Sequence, residues 1–121
     1  MVVDVGAECN ITMEITSETS KPVLLKVVFY NGTQTPWTNL KHSGSTVTYH
    51  LHDSTCGRKP TELRARLAQD KASKKYQTSS SFIDGSGSVS YKVLNGIFGP
   101  YPKMKSRFGI LCAFGDCGRR R

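Results

Sequence analysis

Two histidines, His50 and His52, are the first residues in this chain of 121 amino acids whose types and spacing suggest chemistry. Side chains two apart on a β-strand share a face, so these imidazoles can converge on one metal ion. Their face is opposite that of Val47, Tyr49 and Leu51, so the pattern predicts that both histidines face solvent. The sequence therefore favours neither a metal site nor a bound cofactor.

Catalytic motifs are not found elsewhere in the chain. The sequence contains no Gly-x-Ser-x-Gly, His-Glu-x-x-His or phosphate-binding glycine motif. Asp84 is a single carboxylate within a predicted turn over Asp84–Gly87. We therefore predict no catalytic residues and a non-enzymatic protein.

The four cysteines, Cys9, Cys56, Cys112 and Cys117, predict two disulfides in an oxidising compartment. Buried free thiols are the alternative, and the lack of a Cys-x-x-Cys pair disfavours zinc. Cys9 and Cys112 share the apolar faces of their predicted strands, whereas Cys56 and Cys117 lie in polar loops. This parity predicts the pairs Cys9–Cys112 and Cys56–Cys117.

Positive charge is the strongest functional signal in the sequence. The formal net charge is +8, and the first 20 residues contain no Lys or Arg. The Cys56–Cys117 bridge predicted above would merge two basic runs into one patch. The predicted binding residues are Arg58, Lys59, Arg64, Arg66, Lys74, Lys75, Lys103, Lys105, Arg107, Arg119, Arg120 and Arg121.

Such a patch suits a sulfated glycan, an anionic lipid headgroup or an acidic protein or receptor. Nucleic acid is disfavoured because the aromatic residues are not interleaved with the basic residues along the chain. The alternative interpretation is a set of solvated strand faces whose charges block edge-to-edge aggregation. The sequence leaves the identity of the partner and the oligomeric state open.

Secretion is predicted from several features of the sequence. Asn10-Ile-Thr and Asn31-Gly-Thr are glycosylation acceptor triplets. The N-terminal segment lacks the features of a signal peptide, so our hypothesis is that Met1 replaces a cleaved signal. No apolar run is long enough to span a bilayer. Together with the cysteines, these features predict a secreted glycoprotein.

Period-two alternation recurs along residues 1–121 and predicts a single all-β domain. About seven strands with short turns favour a small antiparallel β-sandwich of immunoglobulin-like architecture, although the Cys…Trp…Cys arrangement of antibody domains is missing. Asn31-Gly32 is a strong turn signal. A helix over Thr61–Lys75 is the rival interpretation, because its composition favours helix.

Two aromatic segments, around Trp37 and over Ile97–Pro102, are interpreted as contact loops or as caps over the core, and we favour caps. Two other functions remain alternatives to a binding module. The chain fits a small disulfide-stabilised defence protein, toxin or host-directed effector. It also fits a protease inhibitor that presents the Cys56–Pro60 loop.

Overall fold

The structure is a computed structural model that describes residues 9–53, 56, 59–69 and 76–118. Within these ranges it contains seven strands and no helix, which confirms the predicted all-β class. The strands are β1 (Cys9–Ser17), β2 (Val23–Val28), β3 (Thr38–Leu40), β4 (Thr46–Asp53), β5 (Thr61–Leu67), β6 (Gln77–Gly96) and β7 (Gly99–Gly115).

The rival helix is wrong over Thr61–Leu67, which forms β5. Leu63 and Ala65 are fully buried there, whereas the intervening arginines point outward. Burial of the alternating apolar residues outweighs the modest helix propensity of the composition. The end of the proposed helix, residues 70–75, lies outside the described residues.

The strands form one mixed sheet in the order β3-β2-β5-β6-β1-β4, with β7 paired along β6, and the sheet curves until it is nearly barrel-shaped. The prediction of purely antiparallel strands is wrong for β1 and β6, which pair in parallel from Asn10↔Ser86 to Ser17↔Val93. Parallel neighbours need a long crossover, and the chain between β1 and β6 supplies it.

Strand β6 connects the two halves of the sheet. Gln77–Ser81 pair with β5, whereas Ser86–Val93 pair with β1. The turn predicted at Asp84–Gly87 is wrong, because the strand continues through it with a register shift between Gly85 and Ser88. A Cβ atom at Gly87 would lie 1.9 Å from the carbonyl oxygen of Phe108, so only glycine permits this close approach.

Inward-facing side chains from both halves form one core cluster. The predicted alternation is confirmed on β1 and β2, whose odd-numbered residues are buried. On β7 it is wrong for Phe108 and Phe114, which are 80% and 71% exposed, because register shifts rephase the strand. Among the largest fully buried side chains are Tyr91, Ile11, Met13, Ile15, Leu25, Leu63, Ile83 and Met104.

Two disulfides form, as predicted, but they join different cysteines from those predicted. The bonds are Cys9–Cys56 and Cys112–Cys117, so the predicted Cys9–Cys112 and Cys56–Cys117 pairs are wrong. Cys9 lies opposite Asp53 in the sheet, and Cys56 follows three residues later. At the end of β7 the chain turns back, so Cys117 meets Cys112 only five residues away.

Candidate binding face

Three cations lie side by side on the outer surface of β2 and β5. Lys26 is the register partner of Arg64, and Arg66 follows on the same side of β5. All three are half-buried, while their neighbours along each strand point into the core. Residues two apart on a strand are separated by about 6.8 Å, so the charges form a compact cluster.

Two aromatic rings hold these cations in place. Lys26 Nζ lies 5.3 Å and Arg66 Cζ lies 5.0 Å from the centroid of the Trp37 ring. Arg64 Cζ lies 5.0 Å from the Tyr76 ring, and the centroids of the two rings are 6.2 Å apart. Cations are attracted to the negative faces of aromatic rings. We call these five residues the basic–aromatic face.

The basic–aromatic face has one acidic neighbour, Glu62. Its Oε1 accepts hydrogen bonds from Arg64, at 3.1 Å from Nε and 3.0 Å from Nη2. Both side chains are a quarter or more exposed, so this ion pair is partly screened by solvent. It orients the guanidinium of Arg64 along the surface of β5.

The other predicted binding residues do not join this cluster through a disulfide, because the Cys56–Cys117 bridge does not form. Lys103, Lys105 and Arg107 are exposed on β7, and Arg107 donates a hydrogen bond to the carbonyl of Cys117 at 3.0 Å. Lys59 is exposed before β5. Lying outside the described residues are Arg58, Lys74, Lys75, Arg119, Arg120 and Arg121.

Sequence reasoning missed Lys26 and Tyr76, and it preferred a core cap to a contact loop for Trp37. Lys26 lies in an otherwise apolar stretch, and the cap interpretation of Trp37 is wrong because the ring lies over outward-facing cations. The mixed composition of the outer face of β2 was the available signal. Aromatic and basic residues that are distant in sequence are interleaved here in space.

The opposite half of the sheet presents a different outer surface, which we call the hydroxyl-rich face. Thr16 and Thr46 hydroxyls are hydrogen-bonded at 2.9 Å, and Thr12 Oγ1 lies 3.3 Å from His50 Nδ1. His50 and His52 are both exposed, as predicted. The outward hydroxyl residues that define this face are Thr12, Thr16, Thr46, Thr48, Ser88 and Ser90.

One further cluster contains potential metal ligands. Among the described residues, Cys9, Cys56 and Asp84 place ligand atoms within 4.8 Å of one another. Asp84 Oδ1 lies 3.2 Å from each sulfur and accepts a hydrogen bond from the backbone N–H of Gly85 at 2.7 Å. The two sulfurs are bonded to each other, so neither is a thiolate that can bind a metal.

An apolar cleft of about 480 Å³ lies at the C-terminal end of β2. It is lined by Val28–Gly32, Lys59 and Pro60. The Tyr30 hydroxyl donates a hydrogen bond to Asp53 beside it. Desolvation and this hydrogen bond raise the pKa of Tyr30 to about 12, so the phenol is neutral at physiological pH. Tyr30 therefore adds no charge to the cleft.

The two predicted glycosylation sites, Asn10 and Asn31, are exposed. Asn31 Oδ1 accepts a hydrogen bond from the backbone N–H of Thr33 at 2.9 Å, within the predicted turn at Asn31-Gly32. Glycosylation of these residues stays a prediction. Over the part of the chain that the structure describes, no helix is long and apolar enough to cross a membrane.

Comparison with known proteins identifies a similar fold. No known protein family matches the chain. No curated protein matches it either. The chain is similar to a protein from Eubacterium rectale whose structure was solved by NMR, with a TM-score of 0.54 and 12% sequence identity. The match covers 80% of this chain and 89% of that chain, and at this identity it shows the fold alone.

Proposed function

We propose that this chain is a secreted, non-enzymatic binding module that engages a sulfated glycan through the basic–aromatic face. The observation that carries the proposal is the placement of Lys26 and Arg66 over the Trp37 ring, with Arg64 over Tyr76. Disulfides persist in oxidising compartments, so the two present here support secretion.

The arrangement of charge favours a partner with closely spaced anionic groups. Arginine forks match the oxygens of sulfate and phosphate, and the ring contacts hold these side chains before a partner arrives. A preorganised side chain loses less conformational entropy on binding. The cluster is therefore better suited to anion recognition than the same charges on mobile surface side chains.

The aromatic rings add a second reason to favour a glycan. Tyr76 is 41% exposed, so part of its apolar surface remains available to a ligand. The C–H groups of a sugar carry small positive partial charges and can pack on the negative face of an aromatic ring. A sulfated sugar would place its charged groups on the cations and pack its own ring against the exposed part of Tyr76.

A single-stranded nucleic acid is the second candidate partner. It was disfavoured from the sequence because aromatic and basic residues are not interleaved along the chain, yet the fold brings them together in space. Cations already lie over both Trp37 and Tyr76, which reduces the ring surface available for base stacking. The disulfides also favour an extracellular partner, so the glycan remains the first candidate.

We also propose that the fold is an immunoglobulin-like β-sandwich. Supporting this view, β6 leaves β5 and joins β1, as strands do when they bend from one sheet of a sandwich to the other.

The test of function is retention on immobilised heparin with two variants that lose equal charge. K26Q/R66Q removes two cations from the basic–aromatic face, and K103Q/K105Q removes two from β7. We expect about a tenfold or greater loss of affinity for the first variant and a much smaller loss for the second. Equal losses would contradict the proposal, whereas tighter binding of single-stranded DNA than of heparin at matched salt would favour the second candidate.

A further inference from the structure

The hairpin between β6 and β7 exposes two large apolar side chains at its turn. Ile97 is 95% exposed and Phe98 is 85% exposed, between the last paired residues, Gly96 and Gly99. We call Ile97 and Phe98 the apolar tip. The preferred cap interpretation of this segment is wrong for both residues, although Pro100 and Pro102 are buried.

Turn geometry does not require large apolar residues at this position. Tight hairpin turns favour Asn, Asp and Gly, because those residues tolerate positive φ or bond to the local backbone. Here the positive φ of +125° is taken by Gly99, and no non-glycine residue of the described chain has a positive φ. Small polar residues at positions 97 and 98 would therefore form the turn equally well.

The apolar tip also extends past the end of β1. The last pair between β1 and β6 is Ser17↔Val93, and β6 continues for three further residues to Gly96. At about 3.3 Å per residue, the hairpin extends roughly 10 Å past the end of β1. Gln77 Nε2 donates a hydrogen bond to the carbonyl of Phe98 at 3.2 Å, which ties the turn to the start of β6.

One lysine lies on each side of the apolar tip. A cleft of about 540 Å³ on one side is lined by Lys21, and a cleft of about 360 Å³ on the other is lined by Lys103. Both lysines are exposed. No acidic residue lines either cleft within the described chain, and the nearby Glu18 is paired with Lys92 at 3.0 Å.

From this combination we infer a membrane-docking site: the apolar tip inserts into the interfacial region of an anionic phospholipid bilayer while Lys21 and Lys103 contact the headgroups. An exposed apolar turn can enter a soft lipid surface, and the lysines on either side of it complement anionic lipid. Burial of exposed apolar area supplies the attraction, and the lysine stems reach along the apolar boundary while their charges stay hydrated.

The other exposed apolar residues of β7 have different surroundings. Phe108, Leu111 and Phe114 are spread along the strand rather than gathered at a turn, and Leu111 is the register partner of Asp84. The Asp84 carboxylate beside Leu111 would be repelled by an anionic membrane. Phe108 lies opposite Ser88, and the centroid of the Phe114 ring lies 5.9 Å from that of Phe82. These residues therefore provide a matched control of similar exposure.

The experiment is sedimentation with phosphatidylcholine vesicles, with and without phosphatidylserine. Wild type is expected to bind only the vesicles that contain phosphatidylserine. I97S/F98S is expected to lose about tenfold or more of that affinity, and F108S/F114S to stay within about twofold of wild type. K21Q/K103Q is expected to weaken binding more than the charge-matched K59Q/K105Q.

Several results would overturn the inference. Failure of wild type to bind phosphatidylserine vesicles would do so, as would equal losses for I97S/F98S and F108S/F114S. If K26Q/R66Q abolished binding while I97S/F98S did not, lipid binding would belong to the basic–aromatic face. A wild-type dimer that I97S/F98S converts to a monomer would show that the apolar tip contacts a second copy.

Heparin retention of I97S/F98S is expected to be unchanged, which separates this inference from the proposed function.

Discussion

The basic–aromatic face and the hydroxyl-rich face are built by the same alternation but present different chemistry. On the first, three cations lie over two rings at 5.0–5.3 Å. On the second, short hydroxyl side chains pair across strands, as Thr16 and Thr46 do with a hydroxyl separation of 2.9 Å. One surface holds concentrated charge, and the other largely satisfies its own polar groups.

This difference indicates where recognition is expected. Hydroxyls that already bond to one another gain little by exchanging partners, whereas a cluster of like charges is relieved by a bound anion. Lys26, Arg64 and Arg66 are close enough to repel one another, and Glu62 offsets only part of that charge. The comparison therefore places the functional signal on the β2–β5 half of the sheet.

The largest expected effect comes from removing the bond that ties the two halves together. Cys9–Cys56 links β1, under the hydroxyl-rich face, to the segment that leads into β5. Loop-closure entropy for a separation of 47 residues predicts that C9A/C56A lowers the free energy of unfolding by about 4 kcal/mol. The measurement is urea denaturation under non-reducing conditions.

The control for this disulfide is C112A/C117A, whose separation is 5 residues. The same entropy argument predicts a loss of about 2 kcal/mol. Equal losses for the two double variants would show that the Cys9–Cys56 bond does not hold the halves more strongly than the local one.

A smaller effect is expected from Trp37→Ala, which removes the ring beneath Lys26 and Arg66. Loss of the half-buried indole and of two cation–ring contacts is expected to cost about 2 kcal/mol in the free energy of unfolding. His50→Ala on the hydroxyl-rich face removes an exposed ring and is expected to cost less than about 0.5 kcal/mol. If chemical denaturation gave similar losses of unfolding free energy for both variants, the two faces would not differ in their contribution to stability.

The smallest expected effect on stability comes from removing the ion pair between Glu62 and Arg64. Glu62→Gln breaks a partly exposed ion pair with Arg64, at a cost below about 1 kcal/mol. It also releases the guanidinium and raises the net charge, so heparin affinity is expected to rise about two- to threefold. Affinity can be measured by titration calorimetry.

Glu14→Gln makes the same charge change on the opposite half, beside the hydroxyl-rich face. If it raised heparin affinity as much as Glu62→Gln does, the effect would come from net charge rather than from position. A response confined to Glu62 would assign binding to the basic–aromatic face.

Much of the fold was predictable because alternation is a local property. Ile11, Met13 and Ile15 are buried as their spacing predicts, and the turn at Asn31-Gly32 lies where its residues favour one. The continuous strand through Asp84–Gly87 was not predictable in this way. Its glycines signal a turn, but they serve a close approach between β6 and β7.

The candidate site was only half predictable. Arg64 and Arg66 were among the basic residues predicted to bind an anionic partner. Lys26 and Trp37 became part of the site only when β2 and the segment before β3 packed beside β5. The pairing of cysteines failed for a related reason. Burial parity identifies inward residues, but it does not identify the neighbour across the sheet.

By itself the sequence determined an all-β chain with two disulfides, a strong positive charge and the buried faces of β1 and β2. These properties depend on composition and on a period of two residues. Only the tertiary structure decided which cysteines meet, that β1 runs parallel to β6, and that cations and aromatic rings share one surface. Those outcomes depend on contacts between residues far apart in the chain, which strand order and register create.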